Sequence, residues 1–330
     1  IRNRKTLLIP ILCSPTLHPT NNPLCAIYVY TEDDVERLIP FRHTEQLEAF
    51  TEHIQRFLQL QDIFILDKKA WLQIGGNANV LDVKTLWWYT YNEAYDETHY
   101  HTAAHQFYWR RHPGLPHVNS IVPLQQHLAM CQKIRHYAWP MCMNAKLDDS
   151  YLKFNYTYPE VYSQIESNGL CVTDEFRMPD IRTDTFVYSQ YNYHTSTGRP
   201  SNAYRGFNFA AMNKEDGTRS AFVSRFEKGA LFEMDFDAYH VRLIAKLIGY
   251  NLPGGSIHTY FGKFYFDTED LDEEQYEQSK QITFRLLYGG IDKEFLEIPF
   301  FRKVNDFVYE LWSKCKNRSY VETPILKRKI

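Results

Sequence analysis

The 330-residue sequence predicts a mixed protein, an α/β half followed by an α+β half. Two observations carry this. Before residue 140, β-rich runs alternate with stretches of helical periodicity. Between residues 230 and 250, an apolar β-prone run leads through an aspartate into a strongly amphipathic helix. A hydrophobic share of 44% is enough to build two cores. The border is expected at a mixed polar linker, PMCMNAKLDDSYLKF (140–154), so the two domains are read as 1–140 and 141–330.

The elements follow in order. LCAIYVYT (24–31) reads as a strand and EDDVERLIPF (32–41) as the opening of a helix. HTEQLEAFTEHIQRFLQL (43–60) has helical spacing, and DIFILD (62–67) is strand-like. NVLDVKTLWWYTYNE (79–93) begins a helix-prone stretch, and IVPLQQHLAMCQKIRHYAW (121–139) reads as a helix. In the second half, PEVYSQIESNG (159–169) is a helix closed by Asn168-Gly169. A polar, aromatic-rich segment runs to Arg199, and FNFAAMN (207–213) is a connection. ALFEMDF (230–236) is read as an apolar strand and AYHVRLIAKLIGY (238–250) as the helix after it, broken by NLPGG (251–255). EEQYEQSKQITFRLLYGG (273–290) and VNDFVYELWSKCK (304–316) are further helices.

The formal net charge of −3 provides no global basic field, so any nucleic-acid contact must come from local clusters. The six cysteines show no C-x-x-C and no zinc spacing, and are read as reduced thiols of a cytoplasmic protein. No apolar stretch approaches a membrane span. The chain begins at Ile1 and ends in a basic run, which reads as a fragment cut at both ends.

The last long helix before residue 290 carries the clearest chemistry. Tyr276, Lys280, Phe284 and Tyr288 are four residues apart and share one face. A lysine there serves phosphate oxygens as a point charge, and the aromatics serve sugar and base. The competing role is an aromatic core stripe, which a central lysine fits poorly. Asp235, at the end of the apolar run, is placed to project a carboxylate; on position alone, capping the next helix is the commoner role. Arg199 follows a glycine in a polar segment, where a surface salt bridge is the plain alternative.

Three motifs in order now resemble those of family A DNA polymerases: Thr197-Gly198-Arg199 with PSN (200–202), then Asp235 to Arg242 with LIAKLIG behind it, then Lys280 to Gly289. His258-Thr259 looks like the family's His-Thr pair, IESNG (165–169) like the helix that opens the palm, and RSYVET (318–323) like the segment after the fingers. The likeness covers about residues 159–330 and is closest to compact phage-type members. It implies a palm with fingers helices, preceded by an RNase H-like domain of the 3′–5′ exonuclease type. It implies DNA-directed DNA polymerase activity in phage DNA replication inside a bacterial host. Two Mg²⁺ ions then clamp the attacking and leaving oxygens, and positioning and charge neutralisation carry most of the catalysis.

The resemblance also assigns roles. Asp235 and the Phe236 carbonyl reach metal; Asp237 competes for the carboxylate role, but the register to Arg242 favours Asp235. Lys280 and His258 contact the incoming phosphates, and Tyr239, His240, Phe284 and Tyr288 line the dNTP. Arg199, Thr197, Asn208, Tyr288 and Gly289 meet primer-template DNA, Arg199 in the minor groove. A processivity factor or single-strand-binding protein is an expected partner.

The departures are as specific. Where the family carries an arginine one turn before the lysine, this chain has Tyr276; either triphosphate binding is weaker or Arg285 compensates from another face. His240 stands where a glutamate usually excludes a ribose 2′-OH, which leaves ribonucleotide discrimination open. Few residues separate Gly169 from Arg199, so the thumb is much reduced. No His-Asp motif C follows, so the chain by itself is expected to be inactive. In the first half, Asp67 matches the exonuclease domain's second acidic motif. Asp34 and Glu36 have D-x-E spacing but fall in an expected helix, and SIVPLQQHL (120–128) brings no acid. That domain therefore reads as a relic. Two rivals stand beside this reading: a single-subunit RNA polymerase relative, and a non-catalytic nucleic-acid-binding remnant.

Overall fold

The computed structural model describes residues 4–45, 61–173, 176, 182–183, 185–203, 208–213, 216–324 and 328–329. The chain divides into two compact units, Ile1–Leu231 and Phe232–Ile330.

The first unit is built on a five-stranded sheet in the order β3-β2-β1-β4-β5. Its strands are β1 (Arg4–Leu12), β2 (Leu24–Thr31), β3 (Glu36–Pro40), β4 (Gln61–Ile65) and β5 (Leu81–Asp82). β1, β2 and β3 pair antiparallel; β4 lies parallel to β1, and β5 parallel to β4. Side chains alternate across the pleat. Leu7, Ile9 and Ile11 of β1 join Tyr28, Tyr30 and Phe64 in one core; Leu8 joins Ile27, Val29, Ile63 and Ile65 on the other face. Five helices accompany the sheet: α1 (Lys68–Gln73), α2 (Val83–Tyr91), α3 (Ala103–Arg111), α4 (Leu124–Met143) and α5 (Asp149–Asn168). α4 covers the first face with Met130, Ile134, Ala138 and Cys142, four residues apart. Full burial of a side chain the size of Met130 or Ile134 contributes about 1.5–3 kcal/mol.

Two local expectations fail here. The helix expected to open within 32–41 is strand β3, registered Ala26↔Pro40 through Tyr30↔Glu36. A tight turn enables it: Asp34 takes φ 60° and its N–H donates to the Thr31 carbonyl at 3.0 Å. Pairing with a buried central strand outweighs local propensity. The linker expected at 140–154 is mostly helical. α4 continues through Pro140 to Met143, and Asp148 caps α5 by accepting from the Tyr151 N–H at 2.8 Å. The helix expected from 159 thus starts ten residues earlier, at Asp149. Most of the helix expected over 43–60 lies outside the described residues.

One buried cluster ties α1, α5 and a short strand together. The Glu166 carboxylate, 1% exposed, accepts from Lys69 Nζ at 2.7 Å, Gln73 Nε2 at 2.6 Å and the Tyr191 N–H at 2.6 Å. Among the described residues between Gly169 and Arg199 there is no helix, only short strands.

The second unit is helical. Its helices are α6 (Tyr239–Leu247), α7 (Ile257–Phe266), α8 (Glu273–Gly289) and α9 (Pro299–Arg318). Val241 and Ala245, Ile257 and Phe261, Leu286, and Phe300, Phe301 and Val304 form its core. The connection between α7 and α8 folds back closely on Gly262, where a Cβ would stand 2.3 Å from Leu271 Cδ1. α8 opens with a reciprocal cap: the Asp272 carboxylate accepts from the Gln275 N–H at 2.8 Å, and Gln275 Oε1 accepts from the Asp272 N–H at 3.1 Å. The strand expected at 230–236 does not form. Phe232, Met234 and Phe236 are 86%, 92% and 77% exposed, and no described segment pairs with their backbone. A β-prone run becomes a strand only when a neighbour takes its N–H and C=O groups.

No helix among the described residues is long and apolar enough to cross a membrane, and all six cysteines are free thiols.

Candidate functional site

The α8 stripe stands as its spacing predicts. Tyr276, Lys280 and Phe284 are half-buried, and Tyr288 is exposed at the helix end. Phe284 and Tyr288 stack at 6.1 Å with an 18° tilt. The buried face between them is held by Ser279, whose hydroxyl donates to the His258 carbonyl at 2.6 Å. That bond sets α7 against α8 and places the His258 ring 5.9 Å from Tyr276 and 5.7 Å from Phe284. His258 is 5% exposed, and its Nδ1 meets no hydrogen-bond partner in the described protein. Burial lowers its pKa; Asp237 opposes this and Lys280 adds to it. The ring is therefore neutral near pH 7.

Helix α6 adds the other wall. His240 Nδ1 lies 2.7 Å from the Tyr288 hydroxyl. With its proton on Nε2, the imidazole accepts from the phenol, and the two rings meet edge-on at 6.2 Å. Tyr239 and Phe236 continue the row, 5.9 Å from His240 and 5.5 Å from Tyr239 respectively. Among the described residues, seven rings thus form one aromatic path from Phe236 to Tyr276, and Lys280 shares the α8 face with three of them. Lys280 makes only a loose pair with Glu277, at 3.6 Å on the surface.

The carboxylates are less settled. Asp235 is not at a strand end; its Oδ1 accepts from the Phe236 N–H at 2.8 Å. Among the described residues it pairs with no cation. Asp237, by contrast, is bound to Arg242 at 2.9 Å and contributes to the field at His258. Among the described residues no three His, Cys, Asp or Glu side chains are arranged for a metal ion. One carboxylate alone would leave Mg²⁺ dependent on substrate phosphates and water for its remaining ligands. Arg285 does not compensate for Tyr276: it pairs with Asp292 at 2.7 Å and lies over Phe295.

The expected DNA contacts lie in the first unit and at the end of α8. Arg199 is exposed, in a turn where its N–H donates to Thr197 Oγ1 at 3.3 Å. Its guanidinium forms no ion pair among the described residues, so the salt-bridge alternative is absent there. Asn208 Oδ1 accepts from the Ala210 N–H at 3.2 Å, a local cap. Gly289 is exposed beside Tyr288.

The first unit also holds a cleft of about 510 Å³ beside β1 and Asp67. Asp67 caps α1 through the Ala70 N–H at 2.9 Å and binds Lys84 Nζ at 2.9 Å; Lys84 also reaches Glu97 at 3.1 Å. Burial opposes the Asp67 charge, but Lys84 and Lys69 outweigh it and hold the carboxyl below the usual carboxylate range. The neighbouring β1 positions in the cleft, Ile9 to Leu12, are apolar. Glu36 lies on β3, taken by the Tyr28 hydroxyl at 2.5 Å. Sequence reading missed Lys84 and Glu97, because the pairing depends on the fold.

A histidine chain crosses the cleft. His127 Nε2 lies 2.8 Å from the Asn119 carbonyl, and its Nδ1 lies 3.0 Å from His105 Nε2. Burial lowers His105 to about 3 and His127 to about 4. Both bind protons in the unfolded chain that the fold refuses, so stability falls as pH drops below the unfolded imidazole value. Burial and then Asp67 push Asp82 up to about 7, which acts in the opposite sense. Asp82→Asn should therefore steepen the acid loss by up to one proton, about 1.4 kcal/mol per pH unit between pH 4 and 6.5. Urea unfolding across that range checks it; parallel slopes for the two proteins would contradict it.

No protein-family model matches the chain, and no curated protein sequence does. Its fold is similar to a solved structure, the POL domain of Pol1 from M. smegmatis in complex with DNA primer-template and dNTP. The TM-score is 0.58 at 12% identity, over 98% of this chain and 78% of that chain. The likeness is one of fold: this chain has the mixed α/β architecture of a polymerase domain.

Proposed function

We propose that this chain is the nucleotide-handling part of a template-directed DNA polymerase of the family A kind. The reaction is transfer of a nucleotidyl group from a dNTP to a primer 3′-OH. The observation that carries the reading is the α8 face: a lysine within an aromatic row, joined to the helix after Asp235 by the His240–Tyr288 hydrogen bond. The fold likeness supports it independently. In this reading Lys280 neutralises phosphate charge, Phe284 packs the sugar, and Tyr288 offers a face to the nascent base pair. Asp235 and the Phe236 carbonyl would hold a metal ion, which when bound would neutralise charge at the reacting oxygens. The ring of His240 stands beside the sugar, and its bond to Tyr288 keeps it there.

Residues 141–330 are then palm and fingers, and 1–140 an RNase H-like domain. The sheet order, three antiparallel strands with two parallel ones, supports that assignment. The capture of Asp67 by Lys84 supports a relic without exonuclease activity. The compact phage type is favoured by the helix-free described residues between Gly169 and Arg199. No histidine follows residue 258, so the second metal carboxylate of a His-Asp motif is not found within these 330 residues. Binding is therefore the first test for this chain. Lys280→Ala should weaken Mg²⁺-dNTP binding by roughly tenfold, the worth of one hydrogen bond to a charged group. Titration calorimetry measures it, and unchanged affinity would rule out the role. The rival RNA polymerase reading predicts rNTP bound in preference to dNTP by the same face.

A further inference from the structure

A phosphate chain laid along the α8 stripe runs out of cations after Lys280. Four helical residues span about 6 Å, so each stripe position faces a different part of an extended nucleotide. With a base at Tyr288 and a sugar at Phe284, Lys280 meets the phosphates that follow. One turn further stands Tyr276, whose ring lies against the buried His258. Among the described residues, Arg285, Arg242 and Lys263 of this unit each have an acidic partner. Arg285 is tied to Asp292, and Arg242 to Asp237 and to the Gly255 carbonyl at 2.8 Å. His258 is 5% exposed, lies against Tyr276 and Phe284, and is neutral. A terminal third phosphate thus reaches an uncharged aromatic wall.

We propose, resting on the reading of this face as a nucleotide site, that it takes deoxynucleoside diphosphates and triphosphates alike, with Tyr276 as the residue that sets this tolerance. A fixed cation on a third phosphate would add roughly tenfold or more in affinity. Among the described residues none stands there, so the third phosphate is left to solvent and to its own metal ion. The same absence leaves room for nucleotides substituted on the terminal phosphate.

The experiment compares Mg²⁺-dATP and Mg²⁺-dADP by calorimetry on the full chain. The expected ratio of dissociation constants is less than about fivefold, and Lys280→Ala should weaken both by the same factor. Tyr276→Arg should then tighten dATP by about tenfold and leave dADP near its original value. Wild-type binding of dATP more than fivefold tighter than dADP would overturn the proposal while leaving the nucleotide site in place. So would a Lys280→Ala effect confined to dATP. Failure of both ligands to bind would overturn the nucleotide reading itself, and the inference with it. The wild-type comparison decides the matter even if Tyr276→Arg does not fold.

Discussion

Asp235→Asn is expected to abolish primer extension by this chain joined to a segment that supplies a second metal-binding carboxylate. The loss should be roughly a thousandfold or more, because the metal contributes several kcal/mol of charge stabilisation and the amide cannot hold it. Fold and DNA affinity should survive. The side chain is exposed, and its hydrogen bond to the Phe236 N–H is within reach of an asparagine oxygen. The companion variant is Asp237→Asn. It loses a surface ion pair with Arg242, worth less than about 1 kcal/mol, and should extend primers at a reduced but measurable rate. The reverse result, with Asp237→Asn dead and Asp235→Asn active, would move the metal carboxylate to Asp237. Near wild-type extension by both would end the assignment of the metal carboxylate to either aspartate.

Glu166→Ala should be strongly destabilising to the first unit, costing about 3 kcal/mol or more. The substitution strands Lys69, whose side chain is 12% exposed, without its carboxylate, and leaves Gln73 and the Tyr191 N–H unpaired. Breaking a buried pair from one side costs more than the pair itself is worth, because the remaining charge stays desolvated. Glu166→Gln keeps an acceptor for the Tyr191 N–H and should lose less. Denaturant unfolding followed by tryptophan fluorescence reads the effect through buried Trp88. A change below about 1 kcal/mol for Glu166→Ala would mean that the cluster is wetter than its geometry implies.

The sequence by itself determined what repeats locally. The α8 face was readable because four residues bring a helix round to nearly the same side; Tyr276, Lys280, Phe284 and Tyr288 line up whatever surrounds them. Strand β2, the long helix α4 and the glycines ending α8 were readable from equally local composition and periodicity. Only the tertiary structure decided what depends on a partner far along the chain. Residues 36–40 became a strand because β2 lay beside them, while the equally β-prone 230–236 found no strand to pair with. Asp67 looked like a metal carboxylate in sequence and is instead held by Lys84, which a separate helix brings to it. His258, a packed neutral histidine on residue type alone and a phosphate ligand by resemblance, is buried against two rings; Ser279, which anchors it, carried no sequence signal at all. Helical periodicity is set by backbone geometry within a few residues, whereas strand pairing, ion pairing and burial are set by which distant groups the fold brings into reach and shields from water.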